Sequence, residues 1–198
     1  MGNPMPDTRH LPSEKHALRL AMKTRRAEAK VRQPDASLIL KDLFLKAVTL
    51  PAGCVISAYV ARNAEMDALP LATALHARGH ALCLPAAAGR DEPLRFRAFT
   101  PGDGLAPQGT MNLYEPLPAA PLCEPDVLIV PLLAFDGALH RLGYGGGHYD
   151  RTLAALRAQK PILAVGIAYA CQEVPALPAE FFDARLDKIV TEIQVFET

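Results

Sequence analysis

The stretch DVLIVPLLAFDGALHRLGYGGGHYDRTLAALRA, residues 126–158, decides the fold. It begins with a run from Asp126 to Val130 that is apolar on both faces, as is typical of a central strand in a parallel sheet. A glycine-containing loop, residues 131–147, follows, and then a helical pattern from His148 to Ala158. A loop between a buried strand and a helix lies at the carboxyl edge of the sheet, where open α/β folds bind ligands.

The rest of the chain continues this alternation of strands and helices. Helices are predicted at residues 14–32, 36–48 and 69–78, with Ser13 and Asp35 as N-caps and Gly79 as the stop of the third. Strands are predicted at residues 54–60, 80–84 (ended by Pro85), 94–99, 162–167 and within 188–196, and a proline-rich connector at 115–125. The pattern predicts an α/β domain with a mainly parallel sheet and helices on both faces.

Composition narrows the class of protein. The chain has 198 residues, so we expect one α/β domain over residues 13–198 after a flexible N-terminal tail, residues 1–12. Its 21 basic and 21 acidic residues give no net field that would attract nucleic acid or an anionic membrane. The longest apolar run, residues 127–135, is too short for a membrane span of about 20 residues. We therefore expect a cytoplasmic protein, with its four cysteines reduced and mostly buried.

The loop has the composition of an anion site. Gly143 and the run Gly145–Gly147 leave backbone amides open to a phosphate, and the next helix adds its positive N-terminal end. Arg141 supplies a guanidinium. Asp150, in the first helical turn, would repel a phosphate unless a cation lay between them, and Mg²⁺ suits that position. The alternative is a flexible turn in which Asp150 only interacts with the helix dipole.

The first helix carries a basic stripe. At about 100° per residue, Lys15, Arg19 and Arg26 fall within about 40° of one another. The stripe is either an ordinary solvated face or a phosphate grip that completes the glycine loop, and the spacing does not choose between them.

These residues resemble the 5-formyltetrahydrofolate cyclo-ligase family, also called 5,10-methenyltetrahydrofolate synthetases. RLGYGGGHYD, residues 141–150, is similar to the family signature RLGxGxGYYD. Weaker similarities are the N-terminal KxxxR element at Lys15–Arg19, the strand-and-acid segment at 59–67 and the C-terminal segment at 177–191. The resemblance implies a three-layer α/β/α sandwich, Rossmann-like and similar to the sugar-phosphate isomerase and CoA-transferase type. It also implies that a monomeric enzyme uses ATP and Mg²⁺ to convert 5-formyltetrahydrofolate to 5,10-methenyltetrahydrofolate, ADP and phosphate.

The resemblance also implies roles for individual residues. Catalysis falls on Arg141, Tyr149 and Asp150, and Mg²⁺ on Asp150 and Asp183. The ATP-binding residues are Lys15, His16, Ala17, Leu18, Arg19, Arg141, Leu142, Gly143, Tyr144, Gly145, Gly146, Gly147, His148 and Tyr149. The folate-binding residues are Val60, Glu65, Tyr144, Gly145, Gly146, Gly147 and His148.

Two points stay open at the level of sequence. His148 replaces the tyrosine usual in the family, so a diverged member that uses ATP on another small substrate is an alternative. The basic stripe favours a second alternative, a folate- or RNA-binding module that keeps the fold, although the neutral net charge argues against RNA. Glu65 suits the paired N–H donors of a pterin, but it is equally an ordinary surface acid that opens a helix, and Asp67 could be the helix cap instead.

Overall fold

The computed structural model describes residues 11–86, 89, 91–108, 113–178 and 183–197. Its helices are α1 (Leu11–Arg32), α2 (Ala36–Ala47), α3 (Leu69–Ala77) and α4 (His148–Arg157), with a short 3₁₀ helix at Ala170–Gln172. Its strands are β1 (Val55–Ser57), β2 (Ala81–Ala86), β3 (Arg95–Phe99), β4 (Leu105–Gln108), β5 (Leu113–Pro116), β6 (Val127–Pro131), β7 (Ala134–Phe135), β8 (Arg141–Leu142), β9 (Leu163–Ile167), β10 (Lys188–Val190) and β11 (Val195–Glu197).

Seven strands form the central sheet, in the order β11-β10-β9-β6-β1-β2-β3. The five inner strands are parallel, with Ile56 opposite Val127 and Val130 opposite Gly166. The two edge strands, β3 and β11, are antiparallel to their neighbours. The prediction of a mainly parallel sheet is confirmed.

The sheet is the middle layer of three. On one face, Val127 and Ile129 pack with Phe44 of α2 and Leu75 of α3. On the other face, Leu128 and Val130 pack with Leu153 of α4. Successive side chains of a strand point to opposite faces, so a strand covered on both sides needs apolar residues throughout. This explains the unbroken apolar run of β6, and it confirms the three-layer α/β/α sandwich.

Helix α1 lies over the carboxyl edge of the sheet rather than on a face. Its Met22 packs into a small cluster with Leu133, Ala134 and Leu142, which all follow β6. The connection through α3 leads from β1 outward to β2, and the connection through α4 leads from β6 outward to β9 in the opposite direction. The gap between β1 and β6 is therefore a topological switch point, the usual ligand crevice of such sheets.

Three predicted boundaries at the start of the chain differ from the structure. The first helix begins at Leu11, so Ser13 lies inside its first turn instead of capping it. A proline is tolerated in that turn because the first amides of a helix have no partner within it. The predicted tail thus loses its last two residues to the helix, and residues 1–10 lie outside the described residues. Asp35 is the N-cap of α2, but without a side-chain cap hydrogen bond.

The prediction that Pro85 ends β2 is wrong. Pro85 pairs with Phe96 of β3, and β2 continues to Ala86. The backbone of Cys83 faces β1, where its carbonyl accepts from Ala58 N at 3.0 Å. Backbone groups alternate sides, so the nitrogen of Pro85 also faces that side, beyond the end of β1. An edge position of this kind tolerates a residue without an N–H.

Short strands account for the remaining differences. The predicted loop at 131–147 contains the antiparallel pair β7 and β8, and the predicted last strand is the hairpin of β10 and β11. The connector predicted from Glu115 begins inside β5, which pairs with β4. Strands of two to four residues are too short to show a period of two. Of the four cysteines, Cys54 and Cys83 are buried, and Cys123 and Cys171 are half-buried.

Candidate active site

The basic stripe of α1 faces the glycine loop and the C-terminal segment. Arg19 Nε donates to the carbonyl oxygen of Gly143 at 3.0 Å. Lys15 Nζ lies 2.9 Å from Asp183 Oδ2, and its side chain is 12% exposed. Arg26 is 2% exposed. The interpretation of this stripe as a solvated face is therefore wrong. Of the intervening predicted residues, Leu18 packs into the cluster at the carboxyl edge, whereas His16 and Ala17 are exposed.

The turn between β8 and α4 requires glycine. Gly145 has φ 99° and Gly147 has φ 65°, which side chains other than glycine rarely adopt. A Cβ on Gly146 would lie 2.9 Å from His148 Cδ2, and one on Gly147 would lie 2.6 Å from an Arg151 nitrogen. Gly147 is also the N-cap of α4, so the positive end of that helix opens onto the turn. The backbone here is shaped to receive an anion.

Asp150 and Arg141 tie three segments together next to this turn. Asp150 Oδ1 accepts from Arg141 Nη2 at 2.7 Å and from the amide of Ala184 at 3.1 Å. Arg141 also donates to the carbonyl oxygen of Ala184. The Arg141 side chain is 4% exposed and that of Asp150 is 28% exposed. The guanidinium is thus directed at Asp150 and the backbone, and a phosphate would compete for its donors.

Of the two predicted magnesium ligands, Asp150 accepts from the amide of Ala184, the residue that directly follows Asp183. Asp183 pairs with Lys15, and Asp150 pairs with Arg141. Over the ranges that the structure describes, no three His, Cys, Asp or Glu side chains converge as a metal site. Two carboxylates fit Mg²⁺ in the way it usually binds beside a nucleotide, where phosphate oxygens and water complete the coordination.

A cavity of about 460 Å³ adjoins the carboxyl ends of β1 and β9. Val60 and Glu65, two predicted substrate residues, both line it. Most of its other walls are apolar or aromatic: Ala58, Tyr59, Ala61, Ala72, Leu84, Phe99, Leu105 and Tyr169. A mostly apolar cleft with a few placed polar groups is the usual form of a small-molecule site.

Glu65 is the buried acid of this cavity. It is 4% exposed, and its Oε2 accepts from the amide of Arg62 at 2.7 Å. The interpretation of Glu65 as an ordinary surface acid is therefore wrong. Asp67 Oδ1 accepts from Leu69 N, at the first residue of α3, at 3.0 Å, but the N-cap of that helix is Ala68, which lies one residue after Asp67. A carboxylate buried in a cavity wall is costly unless it serves a ligand or a local partner.

Tyr144 and Tyr149 do not line the cavity, but both phenols interact electrostatically with its acid, Glu65. Burial raises the pKa of Tyr149 far above its usual value, and the negative charge of Glu65 raises it further. Burial also raises the pKa of Tyr144, as does the interaction of its hydroxyl with Glu65, while Arg26 opposes both effects. Both phenols are therefore protonated hydrogen-bond donors at neutral pH. His148, the unusual residue of the motif, is half-buried, with Nδ1 3.5 Å from Arg151 Nη2.

Sequence reasoning missed two tyrosines of the cavity. Tyr169 is 4% exposed and follows the carboxyl end of β9. The rule that ligands bind at this edge of the sheet was the available signal. Tyr59 donates to the carbonyl oxygen of Met66 at 2.6 Å, which fixes the segment that carries Glu65. A contact between two residues seven positions apart in a loop has no periodic signature in the sequence.

Fold and site together define an α/β protein in which a glycine turn, flanked by cations and carboxylates, lies beside a mostly apolar cavity. The model of the 5-formyltetrahydrofolate cyclo-ligase family matches residues 12–192. The chain therefore belongs to the 5-formyltetrahydrofolate cyclo-ligase family, and the resemblance of the RLGYGGGHYD motif is confirmed.

Individual relatives agree with this assignment. A 5-formyltetrahydrofolate cyclo-ligase from Escherichia coli (strain K12) is 36% identical over 150 residues, which cover 72% of this chain and 80% of that protein. One from Mycolicibacterium smegmatis is 34% identical over 148 residues, covering 71% and 74%. The NMR structure of Aquifex aeolicus 5,10-methenyltetrahydrofolate synthetase superposes with a TM-score of 0.75 at 25% identity, covering 92% of each chain.

Proposed function

We propose that this protein converts 5-formyltetrahydrofolate to 5,10-methenyltetrahydrofolate with consumption of ATP and release of ADP and phosphate, in a reaction that requires Mg²⁺. The observation that carries the proposal is the meeting of the α1 cations, the glycine turn and Asp150 beside a cavity with one buried carboxylate. Membership of the cyclo-ligase family supports the same reaction.

The ATP phosphates bind at the glycine turn in this proposal. The turn offers backbone amides and the positive end of α4, and α1 brings Lys15 and Arg19 to its rim. The proposed ATP-binding residues are Lys15–Arg19 and the loop from Arg141 to Tyr149. His16 and Ala17 are exposed, so any contact that they make is at the periphery.

Asp150 and Asp183 are the proposed ligands of Mg²⁺. The ion supplies neutralisation of the charge that develops on the phosphates. Asp150 is held in place by Arg141 and by the amide of Ala184, which leaves its side chain 28% exposed next to the turn. The arrangement fixes the carboxylate in position before the ligands arrive.

The folate binds in the cavity, with its pterin ring at Glu65. A carboxylate matches the adjacent amino and ring N–H donors of a pterin, and two hydrogen bonds to one charged group are strong and directional. Val60 contributes apolar wall. None of the described residues that line the cavity lies between Tyr144 and His148, so in this proposal that segment contacts the part of the folate that extends toward the glycine turn. In this proposal the glycine loop contacts both the folate and ATP.

The reaction needs positioning more than a nucleophilic side chain. A formamide carbon is a poor electrophile because its oxygen is a poor leaving group. The formyl oxygen attacks the γ-phosphorus and ADP leaves. The second folate nitrogen then attacks the formyl carbon, its N–H proton passes to solvent, and phosphate leaves with the former formyl oxygen. Arg141 and Asp150 orient the phosphate side, and Tyr149, which is protonated at neutral pH, donates a hydrogen bond to the developing negative charge.

A direct test is the appearance of the methenyl product, followed by its absorbance, with purified protein, ATP, Mg²⁺ and 5-formyltetrahydrofolate. The expected result is turnover that stops when any one of the three is left out, with one ADP formed per product. Folded protein that binds both ligands without turnover would favour a binding module instead. Turnover of ATP with a different formamide, and none with the folate, would favour another substrate.

The same proposal covers the organisation of the protein. We place the activity in a single domain that begins with α1 at Leu11 and that works as a monomer in the cytoplasm without nucleic acid. Light scattering during turnover and a salt-titrated RNA-binding assay test these points. A dimer at working concentration, or RNA binding that weakens steeply with salt, would contradict them.

A further inference from the structure

Arg26 is a buried guanidinium at the junction of the glycine turn and the cavity. Its Nη1 donates to the carbonyl oxygen of Leu132 at 3.2 Å, and its Nη2 donates to the hydroxyl of Tyr144. Within the described residues its Nε has no hydrogen-bond partner, and the residue is only 2% exposed. A guanidinium that is buried with an unsatisfied N–H costs free energy. Packing of α1 alone therefore does not explain an arginine at this position.

Tyr144 is the residue that Arg26 holds. Its ring centroid lies 5.5 Å from the centre of the guanidinium, within the range of a cation–π interaction, in addition to the hydrogen bond at its hydroxyl. The tyrosine is 44% exposed, so burial does not fix its side chain. The contact with Arg26 does, and it directs the hydroxyl inward from the glycine turn.

The phenol that Arg26 holds also interacts electrostatically with Glu65, the buried acid of the cavity. Burial raises the pKa of this phenol, and the negative charge of Glu65 raises it further through their side-chain interaction, whereas Arg26 lowers it. A buried cation, Arg26, and a buried anion, Glu65, thus act in opposite directions on this phenol. A hydroxyl that accepts from a guanidinium is free to donate its own proton to a carboxylate.

We propose that Arg26 is a positioning residue for the folate site, which acts through the Tyr144 hydroxyl to orient Glu65 and to balance its charge. The inference rests on the proposed function, because the role of Glu65 is to receive the pterin. Glu65 receives only one backbone amide, from Arg62, among its hydrogen bonds to described residues. The relay from Arg26 through Tyr144 is the second constraint on that carboxylate.

The relay predicts a selective effect on folate binding. Tyr144→Phe keeps the ring and removes the hydroxyl, and Arg26→Met removes the cation while keeping an unbranched apolar side chain. Each is expected to raise KM for 5-formyltetrahydrofolate about tenfold. KM for ATP is expected to change much less, by about twofold, because the glycine turn offers ATP its backbone amides, which both variants keep. The folate KM of the double variant is expected to equal that of Arg26→Met alone, because both changes remove the same contact between Arg26 and the Tyr144 hydroxyl.

Lys23→Met is the matched control. Lys23 Nζ lies 5.8 Å from the same ring centroid, so it is also a cation over Tyr144, but the structure gives it no hydrogen bond to the hydroxyl. We expect a change in folate KM of about twofold or less. Arg26→Lys, which keeps the charge, is expected to recover part of the loss.

The outcomes separate the relay from its alternatives. Unchanged folate KM in Tyr144→Phe overturns the proposal, and so does an equal rise in both KM values, since that indicates a disordered loop. Additive effects in the double variant also overturn it. Tyr144→Phe alters an exposed side chain, so it stays informative even where Arg26→Met does not fold. Absence of turnover in the wild-type protein instead refutes the proposed function.

Discussion

The glycine-turn side and the cavity side of the site meet at Tyr144 but are built differently. On the turn side, charged residues from α1, the β8–α4 segment and residues 183–184 are linked by ion pairs and backbone hydrogen bonds. On the cavity side, apolar and aromatic walls surround one buried acid, Glu65. The first side is organised around charges in direct contact, and the second around one buried acid whose charge, in our proposal, Arg26 balances indirectly through Tyr144.

Loss of a charge is expected to affect the two sides differently. Removal of a charge on the turn side leaves an opposite charge without compensation and disturbs the phosphate chemistry. Removal of the charge on the cavity side leaves the walls intact and loses only recognition. The two sides should therefore separate in kinetics, with turnover lost on the first and folate KM raised on the second.

The largest effect is expected for Asp150→Asn. The asparagine keeps an oxygen that can accept from the Ala184 amide, but it loses the charge that faces Arg141 and the proposed ion. We expect Mg²⁺-dependent kcat to fall about 100-fold or more, in the range seen for removal of one electrostatic group from an active site. The measurement is steady-state turnover over a titration of Mg²⁺.

Asp187→Asn is the matched control for that variant. Asp187 makes the same kind of contacts outside the site, since its Oδ2 accepts from Arg157 Nη2 at 2.8 Å and from Ala164 N at 2.6 Å. It should lower the melting temperature and change kcat by about threefold or less. Near-normal turnover in Asp150→Asn would remove this residue from the metal role.

The next largest effect is expected on the cavity side, for Glu65→Gln. The amide is isosteric, but it presents an N–H₂ where the pterin needs a second acceptor, and it lacks the charge. We expect KM for 5-formyltetrahydrofolate to rise about 30-fold, with kcat at saturating folate reduced much less. Isothermal titration of each ligand checks the split. If ATP affinity fell as much as folate affinity, the two sides would not be separate.

A smaller effect on the turn side is expected for Arg19→Met. Its guanidinium donates one hydrogen bond to the carbonyl oxygen of Gly143, which holds α1 against the turn. We expect KM for ATP to rise about tenfold. Arg25→Met is the control, because Arg25 is an exposed arginine of the same helix that also donates to a backbone carbonyl, that of Cys171 at 3.2 Å. Equal effects of the two variants would show that only helix docking matters.

Much of the turn side could be predicted from the sequence, because its signals are local. The apolar run of β6, the glycines and Asp150 lie within one strand–loop–helix unit, so their order alone places them at one edge of the sheet. Lys15 and Arg19 are one turn apart on a helix, so a shared face follows from the helical period. Their partners, Asp183 and Gly143, are far away in sequence, and only the fold brings them together.

The cavity side could be predicted much less. Its walls come from the segments after β1 and β9, from α2 and α3 and from β2 to β4, and no period or motif joins them. The helical spacing predicts that Arg26 lies on the basic stripe. It does not predict that Arg26 is buried in contact with Leu132 and Tyr144. Burial of a charged residue depends on which long-range contacts surround it, and these are a property of the whole fold.

The smallest effect on activity is expected at Asp136, whose carboxylate accepts hydrogen bonds from the segment between β7 and β8 and from the C-terminal segment. Its Oδ1 accepts from the amides of Ala138 and His140, each at 3.0 Å, and its Oδ2 accepts from Leu177 N at 3.0 Å. Asp136→Asn places an N–H₂ against these donors. We expect the free energy of unfolding at pH 7 to fall by about 1–3 kcal/mol, and kcat/KM to change about twofold or less because no ligand is contacted.

The pH dependence of stability gives a second test of the role of Asp136. Burial alone would raise the pKa of Asp136, but the hydrogen bonds from Leu177 and His140 outweigh it and hold the pKa below its usual value. The carboxylate therefore stabilises the fold above the unfolded-state pKa of about 3.9, and this contribution is lost as the pH falls through the lower pKa of the folded state. Urea unfolding at a series of pH values should show the wild-type and Asp136→Asn curves far apart at neutral pH and converging in acid. Curves that stay parallel down to about pH 3 would mean that the charge of Asp136 contributes nothing, and that the hairpin of β7 and β8 is held by its backbone alone.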